Sequence, residues 1–434
     1  MRSNLLSVLP FVLAYILGFA VALPKISAVG SKFFTEDGDQ FYVKGVAYQL
    51  TPADPLVNTE QCQMDASLMK KLGANAIRVY HVNPRGDHKE CMKAFDDAGI
   101  YLFVDLDDFP TQIEQEHPHW NETQFDMFKK VLDEFQKYDN TAGFFVGNEV
   151  LTKANGSESA PYILAAARDV KAYRDSKGYR NIPVGYSAAD IAELRPMLQN
   201  YLACPTNSSE SLDFFSLNAY EWCGPNTYKE SGYSMLQKNA TDYPIPIFFS
   251  ETGCNTDRPR DFQDLTAIYG PEMAGTWSGA IVYEWIQEAN DYGLISYGPI
   301  QASAAPTNTL IQDGFSRQGT PTPVSPDFDN LKSRWAALSP TGVALSDYSA
   351  SATSLSRPTC PASTSGVWDV DPTSPLPTLG QTLGVGPTGT DSAAAATESK
   401  EGAAARVEVF GGQNGFRLMS FALLGLAVFM GWSL

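Results

Sequence analysis

The chain has 434 residues, 44% of them hydrophobic and 12% aromatic, enough for one large domain of roughly 250–300 residues with tails at its ends. Its formal net charge is −18, which argues against nucleic acid or an anionic membrane surface as a partner.

In chain order the first element is a leader. Residues 1–22 hold one early cation, Arg2, an apolar run over 5–21 and the small triplet Ala20-Val21-Ala22. That is the pattern of a secretory signal peptide, with the mature chain starting near Leu23; a membrane-spanning anchor is the competing reading. From about residue 40 to residue 300, short apolar runs alternate with helical patterns. Strands are predicted at 41–49, 76–82, 101–107, 141–149, 182–187, 212–220, 246–253 and 279–285. They are mostly continuous β-branched or aromatic runs, as in a parallel sheet covered on both faces. Helices such as 61–72 and 123–138 lie between them, and Phe125, Phe128, Leu132 and Phe135 line one face of the second. Gly73 and Gly99 each stand between a helix and a strand, where a C-cap is needed. Eight strands with intervening helices predict an α/β fold, a (β/α)8 TIM barrel spanning residues 23–340. The rival is a doubly wound open sheet, but no Gly-rich phosphate loop follows the first strand.

Past residue 300 the pattern decays into Ser, Thr, Ala, Pro and Gly. Residues 328–338 can still pack back on the barrel, and Cys360 suggests a tethered extension to about residue 365. Residues 366–405 read as a disordered Ser/Thr/Pro/Ala-rich stalk. Residues 406–434 follow small residues with a spacer and then a terminal apolar run over 418–434. This is the pattern of a GPI-anchor signal whose tail is removed, with a simple tail anchor as the alternative. The expected location is the cell surface, at the outer leaflet of the plasma membrane or in the cell wall.

An oxidising compartment makes Cys62, Cys91, Cys204, Cys223, Cys254 and Cys360 candidates for three disulfides, and the count alone leaves the pairing open. Sequons at Asn121, Asn155, Asn207 and Asn239 predict glycosylated surface loops. His81, His88, His117 and His119 show no metal-ligand spacing, the close pair His117 and His119 reading as a surface loop, so no metal or other cofactor is expected.

In a parallel barrel the C-terminal ends of the strands converge on one face, where active sites form. Those ends supply Gln49, Tyr80, Asp105, Asn148, Glu149, Tyr220, Glu251 and Tyr283. Glu149 and Glu251 close the fourth and seventh predicted strands, both otherwise apolar. A carboxylate there is costly unless it is paired or functional, and two such residues fit glycosidic cleavage. One carboxyl protonates the leaving oxygen while the other attacks the anomeric carbon, and a retaining enzyme holds them about 5 Å apart on rigid elements.

Six segments resemble a known family. They are Tyr42-Val43-Lys44-Gly45-Val46-Ala47-Tyr48-Gln49, Arg78-Val79-Tyr80-His81-Val82-Asn83-Pro84, Phe145-Val146-Gly147-Asn148-Glu149, Asn218-Ala219-Tyr220-Glu221-Trp222-Cys223-Gly224, Phe249-Ser250-Glu251-Thr252-Gly253-Cys254-Asn255 and Trp277-Ser278-Gly279-Ala280-Ile281-Val282-Tyr283. Over most of residues 25–335 the chain resembles the fungal GPI-anchored β-1,3-glucanosyltransferases, glycoside hydrolase family 72 of the Gas, Gel and Phr type. The resemblance implies Glu149 as acid/base, Glu251 as nucleophile, and Gln49, Tyr80, Asp105, Asn148, Tyr220 and Tyr283 as substrate-binding residues. It also implies the pairs Cys62–Cys91, Cys204–Cys360 and Cys223–Cys254, and a monomer that takes β-1,3-glucan as donor and acceptor. Plain endo-β-1,3-glucanase activity and a non-catalytic glucan-binding role are the alternatives. Two departures stand out. No cysteines remain for the additional carbohydrate-binding module of some members, which places the chain in the subgroup without it. The segment Tyr283-Glu284-Trp285-Ile286-Gln287-Glu288 also differs from the Tyr-Met-Tyr-Phe-Glu expected of relatives, and residues 301–325 look longer than a minimal barrel exit.

Overall fold

The computed structural model describes residues 23–50, 54–301, 310–352 and 354–381. The leader, the GPI signal and the rest of the stalk lie outside the described residues.

The chain enters through a three-stranded antiparallel sheet, β1 (Ile26–Val29), β2 (Lys32–Thr35) and β3 (Gln40–Phe41), of which β1 and β2 have no counterpart among the predicted strands. Phe33 of β2 is fully buried and meets the rings of Phe103, Phe214 and Phe248 at 5.9–6.1 Å. The small sheet therefore plugs the lower end of a barrel.

The barrel is the one expected. Its strands are β4 (Val43–Ala47), β5 (Ala76–Val79), β6 (Tyr101–Asp105), β7 (Thr141–Asn148), β8 (Val184–Ala189), β9 (Phe214–Asn218), β10 (Ile247–Thr252) and β11 (Trp277–Val282). Each is parallel to its neighbours in chain order, and β11 closes the ring on β4 through pairs such as Gly279 with Val43. Phe103, Phe145, Phe214 and Phe248 fill the lower lumen, with centroids 5.3–6.4 Å apart. Large rings on some strands demand small residues on others. A Cβ on Gly185 of β8 would stand 2.3 Å from the Phe214 ring, so no larger residue fits there without moving that ring.

Helices α1 (Thr59–Leu72) and α2 (Lys89–Ala98) end on Gly73 at φ 98° and Gly99 at φ 84°, left-handed caps whose N–H groups return to the last-turn carbonyls. Helix α3 (Glu122–Phe135) opens with a capping box between Asn121 and Gln124. Helices α4 (Ala160–Ser176), α5 (Arg195–Ala203), α6 (Tyr233–Asn239) and α7 (Asp264–Ile268) complete the outer layer. Helix α8 (Asp327–Ala337) buries Phe328, Leu331 and Trp335, as the apolar spacing of that segment suggests.

The C-terminal segment packs further than expected. Helix α9 (Leu345–Ala352) lays Tyr348 against Phe34, with centroids 5.4 Å apart, beside the entry sheet. Beyond it Trp368 is fully buried and meets Tyr201 edge-on at 5.5 Å. Arg168 Nη2 donates to the Pro377 carbonyl at 2.9 Å, and the Gly380 N–H donates to the Trp120 carbonyl at 2.7 Å. The packed chain thus runs to Gln381, past the boundary at 365 and into the segment read as stalk. A few apolar anchors in a Ser/Thr/Pro-rich stretch hold it, and average composition conceals them.

Disulfides join Cys62 to Cys91, Cys204 to Cys360 and Cys223 to Cys254. Among the described residues no helix is long and apolar enough to cross a membrane.

Candidate active site

The barrel strands stop slightly earlier than predicted, so several site residues begin the loops rather than end the strands. Gln49 follows β4, Tyr80 follows β5, Asp105 ends β6, Asn148 ends β7 with Glu149 next, Tyr220 follows β9, Glu251 lies in β10 and Tyr283 follows β11. Since all eight strands run the same way, all eight residues reach one face.

Glu251 is the more enclosed of the two candidate carboxylates. Tyr80 donates its hydroxyl to Oε1 at 2.9 Å and Tyr220 donates to Oε2 at 2.7 Å. Arg78 Nη1 stands 3.5 Å from Oε1. Burial pushes the Glu251 pKa up to about 7, and the nearby Glu149 carboxyl adds to this, while Arg78 and the two tyrosine donors oppose it. Burial and the Glu251 charge together hold the Tyr80 and Tyr220 hydroxyls well above their ordinary pKa, so both remain donors.

Glu149 is held differently. Asn218 Nδ2 donates to its Oε1 at 2.9 Å, and its own N–H donates to the Ser187 carbonyl at 2.8 Å. Its φ is 49°, in the left-handed region that costs a non-glycine residue about 1–2 kcal/mol. The ladder ends at this residue, and the bonds from β8 and β9 over-determine its position.

Arg78, buried in the middle of β5, organises the floor between the two glutamates. It forms a two-pronged bond with Asp105 at 3.1 and 2.8 Å, and donates to Ser187 Oγ and Asn148 Oδ1 at 3.0 Å each. The rings of Tyr80 and Phe145 lie 4.3 and 4.4 Å from its guanidinium carbon. Burial works against its charge, but Asp105, Tyr80 and Glu251 raise its pKa above the usual value. Both Asp105 oxygens are engaged by Arg78, so this residue reaches the site as the cation's partner. Asn218 Nδ2 also donates to Asn148 Oδ1 at 3.1 Å, and the Ser187 and Ser250 hydroxyls reach Asn218 Oδ1 at 2.9 and 2.8 Å.

On the opposite wall Gln49 Nε2 donates to the Tyr283 hydroxyl at 2.6 Å and to Glu284 Oε2 at 2.7 Å. Tyr220, Tyr283 and Tyr292 stand edge to face at 5.3–6.5 Å, a set of aromatic faces suited to pyranose rings. The Cys223–Cys254 bridge ties the loop after β9 to the loop just past Glu251.

Sequence reasoning thus located the two carboxylates and their rim but missed Arg78, Ser187, Asn218, Glu284 and Tyr292. Two of these carried a usable signal. Arg78 interrupts the apolar run of β5, and Glu284 follows the apolar β11, so the cost of a buried charge that singled out Glu149 and Glu251 applies equally to them. The serine, asparagine and tyrosine residues carried none. Among the described residues no His, Cys, Asp or Glu cluster is arranged to hold a metal. The buried His88 instead bridges Asp54 and Glu134 at 2.9 and 3.2 Å.

A sequence profile described as glucanosyltransferase, from glycoside hydrolase family 72, matches residues 17–309. The chain is 41% identical over 350 residues to protein EPD1 of Candida maltosa, covering 79% of this chain and 60% of that one. It is 41% identical over 356 residues to the 1,3-beta-glucanosyltransferase gas2 of Schizosaccharomyces pombe, covering 79% and 72%. Against the 1,3-beta-glucanosyltransferase PGA5 of Candida albicans it is 38% identical, covering 74% of this chain but only 51% of that one. The chain therefore spans about half to three quarters of these relatives' length. A Glu-to-Gln mutant of Saccharomyces cerevisiae Gas2p, in complex with laminaritetraose and laminaripentaose, superposes with a TM-score of 0.72 at 36% identity, covering 81% of this chain and 74% of that one.

Proposed function

The chain belongs to the glucanosyltransferase family, glycoside hydrolase family 72, and from that premise we propose that it is a retaining β-1,3-glucanosyltransferase. In this reading Glu251 attacks the anomeric carbon of an internal β-1,3 linkage while Glu149 protonates the departing oxygen. The reducing-end fragment leaves, and the non-reducing-end glucan stays bonded to Glu251. The 3-hydroxyl at the non-reducing end of a second glucan then enters, gives its proton to Glu149 and displaces Glu251. One β-1,3 bond is broken and one is made, so no activated sugar is needed.

The observation that carries this reading is the contrast between the two carboxyls. Glu251 is fixed by two tyrosine hydroxyls with Arg78 at 3.5 Å, whereas Glu149 is held by the Asn218 amide. The first set fixes both Glu251 oxygens and opposes the effect of burial on its charge, which suits the group that attacks carbon, and the second holds Glu149 through one oxygen, which suits the group that transfers the proton. Asn148, Tyr220, Tyr283 and Gln49 orient the sugars. The complex of a related protein with laminari-oligosaccharides supports β-1,3-glucan as the class of substrate.

The proposal includes an extracellular location. The Leu23 nitrogen lies 3.1 Å from Asp96 Oδ1, so cleavage after Ala22 would place a new α-ammonium against a carboxylate. A monomer tethered by a GPI anchor would present the rim to insoluble glucan outside the plasma membrane. Asn155 and Asn207 are exposed and open to glycosylation, and Asn121 and Asn239 are half-buried at helix ends.

Incubation with a β-1,3-gluco-oligosaccharide whose reducing end has been reduced tests the proposal. Products longer than the input support transfer; shorter products alone indicate a hydrolase, and unchanged input a binder. Glu149→Gln lowers turnover by about 10²–10⁴-fold, and wild-type turnover in that variant removes Glu149 from the mechanism.

A further inference from the structure

We propose that Arg260, anchored by Asp327, is a positioning residue that fixes the aromatic wall of the sugar cleft, with Arg258 as its outer arm. The inference rests on the reading of the cleft as a glucan site and adds residues which that reading leaves unused.

The run Asp257-Arg258-Pro259-Arg260-Asp261 lies in the loop between β10 and α7. Arg260 is nonetheless buried, at 2% exposure, and so is Asp327, the first residue of α8, at 1%. A guanidinium is kept in such a place only where its N–H groups find partners. Arg260 Nε donates to Asp327 Oδ2 at 2.8 Å, and the Arg260 backbone N–H donates to Oδ1 at 3.2 Å. That pairing sets the plane of the fork, whose remaining nitrogens point at the cleft wall. Nη1 donates to the Tyr283 carbonyl at 2.8 Å, and Nη2 donates to the Tyr292 carbonyl at 2.6 Å. Nη1 also reaches the carbonyl of Gly253, just past Glu251, at 3.4 Å. The guanidinium carbon stands 5.9 Å from the centre of the Tyr292 ring.

The two carbonyls belong to the tyrosines that face Tyr220. Their ring centroids are 5.3 Å apart, and 6.5 and 5.6 Å from that of Tyr220. Tyr283 and Tyr292 stand at opposite ends of one loop, so a single planar cation held from behind by α8 sets the spacing between them. Arg258 extends the hold. Its Nη2 donates to Asp327 Oδ2 at 3.0 Å, and its Nη1 meets the carbonyl of Asp291 and, at 2.6 Å, the carboxylate. Asp291 has a φ of 64°, a left-handed conformation that is costly for a residue with a Cβ. The residue before Tyr292 is thus kept in place by a restraint from outside its own loop. These bonds end on the wall and on Gly253, not on the carboxyls of Glu149 and Glu251, so the clamp bears on sugar binding rather than on bond cleavage.

Replacing the fork by a single nitrogen tests this. Arg260→Lys keeps a cation beside Asp327 but cannot hold that carboxylate and both carbonyls in one plane. Full-length enzyme is assayed with the reduced-end β-1,3-gluco-oligosaccharide. Arg260→Lys should raise KM about tenfold with kcat changed by less than about threefold. A purely structural role would lower the fraction of active enzyme, so a reduced kcat with wild-type KM overturns the inference, as does wild-type behaviour in both. Should Arg260→Lys fail to fold, Arg258→Ala, at a side chain 28% exposed, must raise KM by about threefold, and an unchanged KM there overturns it. If the wild type proves not to lengthen glucans, the transfer reading fails separately. Calorimetric binding of the same oligosaccharide to Glu149→Gln and to Glu149→Gln with Arg260→Lys then decides. A Kd about tenfold weaker in the double variant upholds the positioning role, and equal Kd values overturn it. A Glu149→Gln protein that binds no β-1,3-glucan overturns the substrate reading and this inference with it.

Discussion

Replacing Glu251 by glutamine should destroy activity and stabilise the fold, and the stabilisation should depend on pH. Burial raises the Glu251 pKa from an ordinary 4.5 to about 7. The folded protein therefore holds a proton that the unfolded chain releases between those two values. Wild-type stability that is fully present below pH 4.5 is lost as pH rises through 7. The difference of about 2.5 pH units corresponds to at most about 3 kcal/mol. Glutamine carries no charge to desolvate, so above pH 7 the variant should gain up to that amount, and near pH 4 the two proteins should be equal. Two effects reduce the gain. The amide offers one oxygen where two tyrosine hydroxyls donate, and Arg78 loses one of its neighbouring anions while keeping Asp105. With unfolding entropy of about 2 cal/mol/K per residue over roughly 350 folded residues, 3 kcal/mol is a rise of about 4 °C in Tm. Denaturant unfolding and thermal melts from pH 4 to pH 8, with the disulfides intact, read the difference directly. A variant no more stable than wild type at pH 8, or a gain that does not change with pH, would refute the assignment of Glu251 as a carboxylate whose burial destabilises the fold.

Three other outcomes rest on the packing. Arg78→Met leaves Asp105 buried without its cation and should cost about 3–5 kcal/mol by denaturant unfolding, and a simultaneous Asp105→Leu should recover much of it. Removing the Cys223–Cys254 bridge by double serine substitution opens a loop of 31 residues and should cost about 3–4 kcal/mol, with kcat falling as well because the bridge lies beside Glu251. A chain ended at residue 365 lacks Trp368 and should be about 3–5 kcal/mol less stable than one ended at 381; equal melting would show that the last segment only rests on the barrel.

The sequence by itself determined the barrel and the rim of its site. Continuous apolar runs separated by helical periodicity leave few ways to bury a parallel sheet on both faces, and strand ends in such a sheet converge. Glu149, Glu251, Tyr80, Tyr220 and Tyr283 could therefore be named from local pattern alone, because each stands where an apolar run stops. Only the tertiary structure decided what lies across the lumen. Arg78 on β5 touches Asp105 on β6, Asn148 on β7 and Ser187 on β8, and it approaches Glu251 on β10. No periodicity records such contacts, since they depend on ring closure bringing strands far apart in the chain to face each other. The plug at Phe33 and the anchor at Trp368 escaped for a related reason. Phe33, beside the equally buried Phe34, and Trp368 stand in short stretches with few other large apolar residues, and their burial depends on cavities that other segments build.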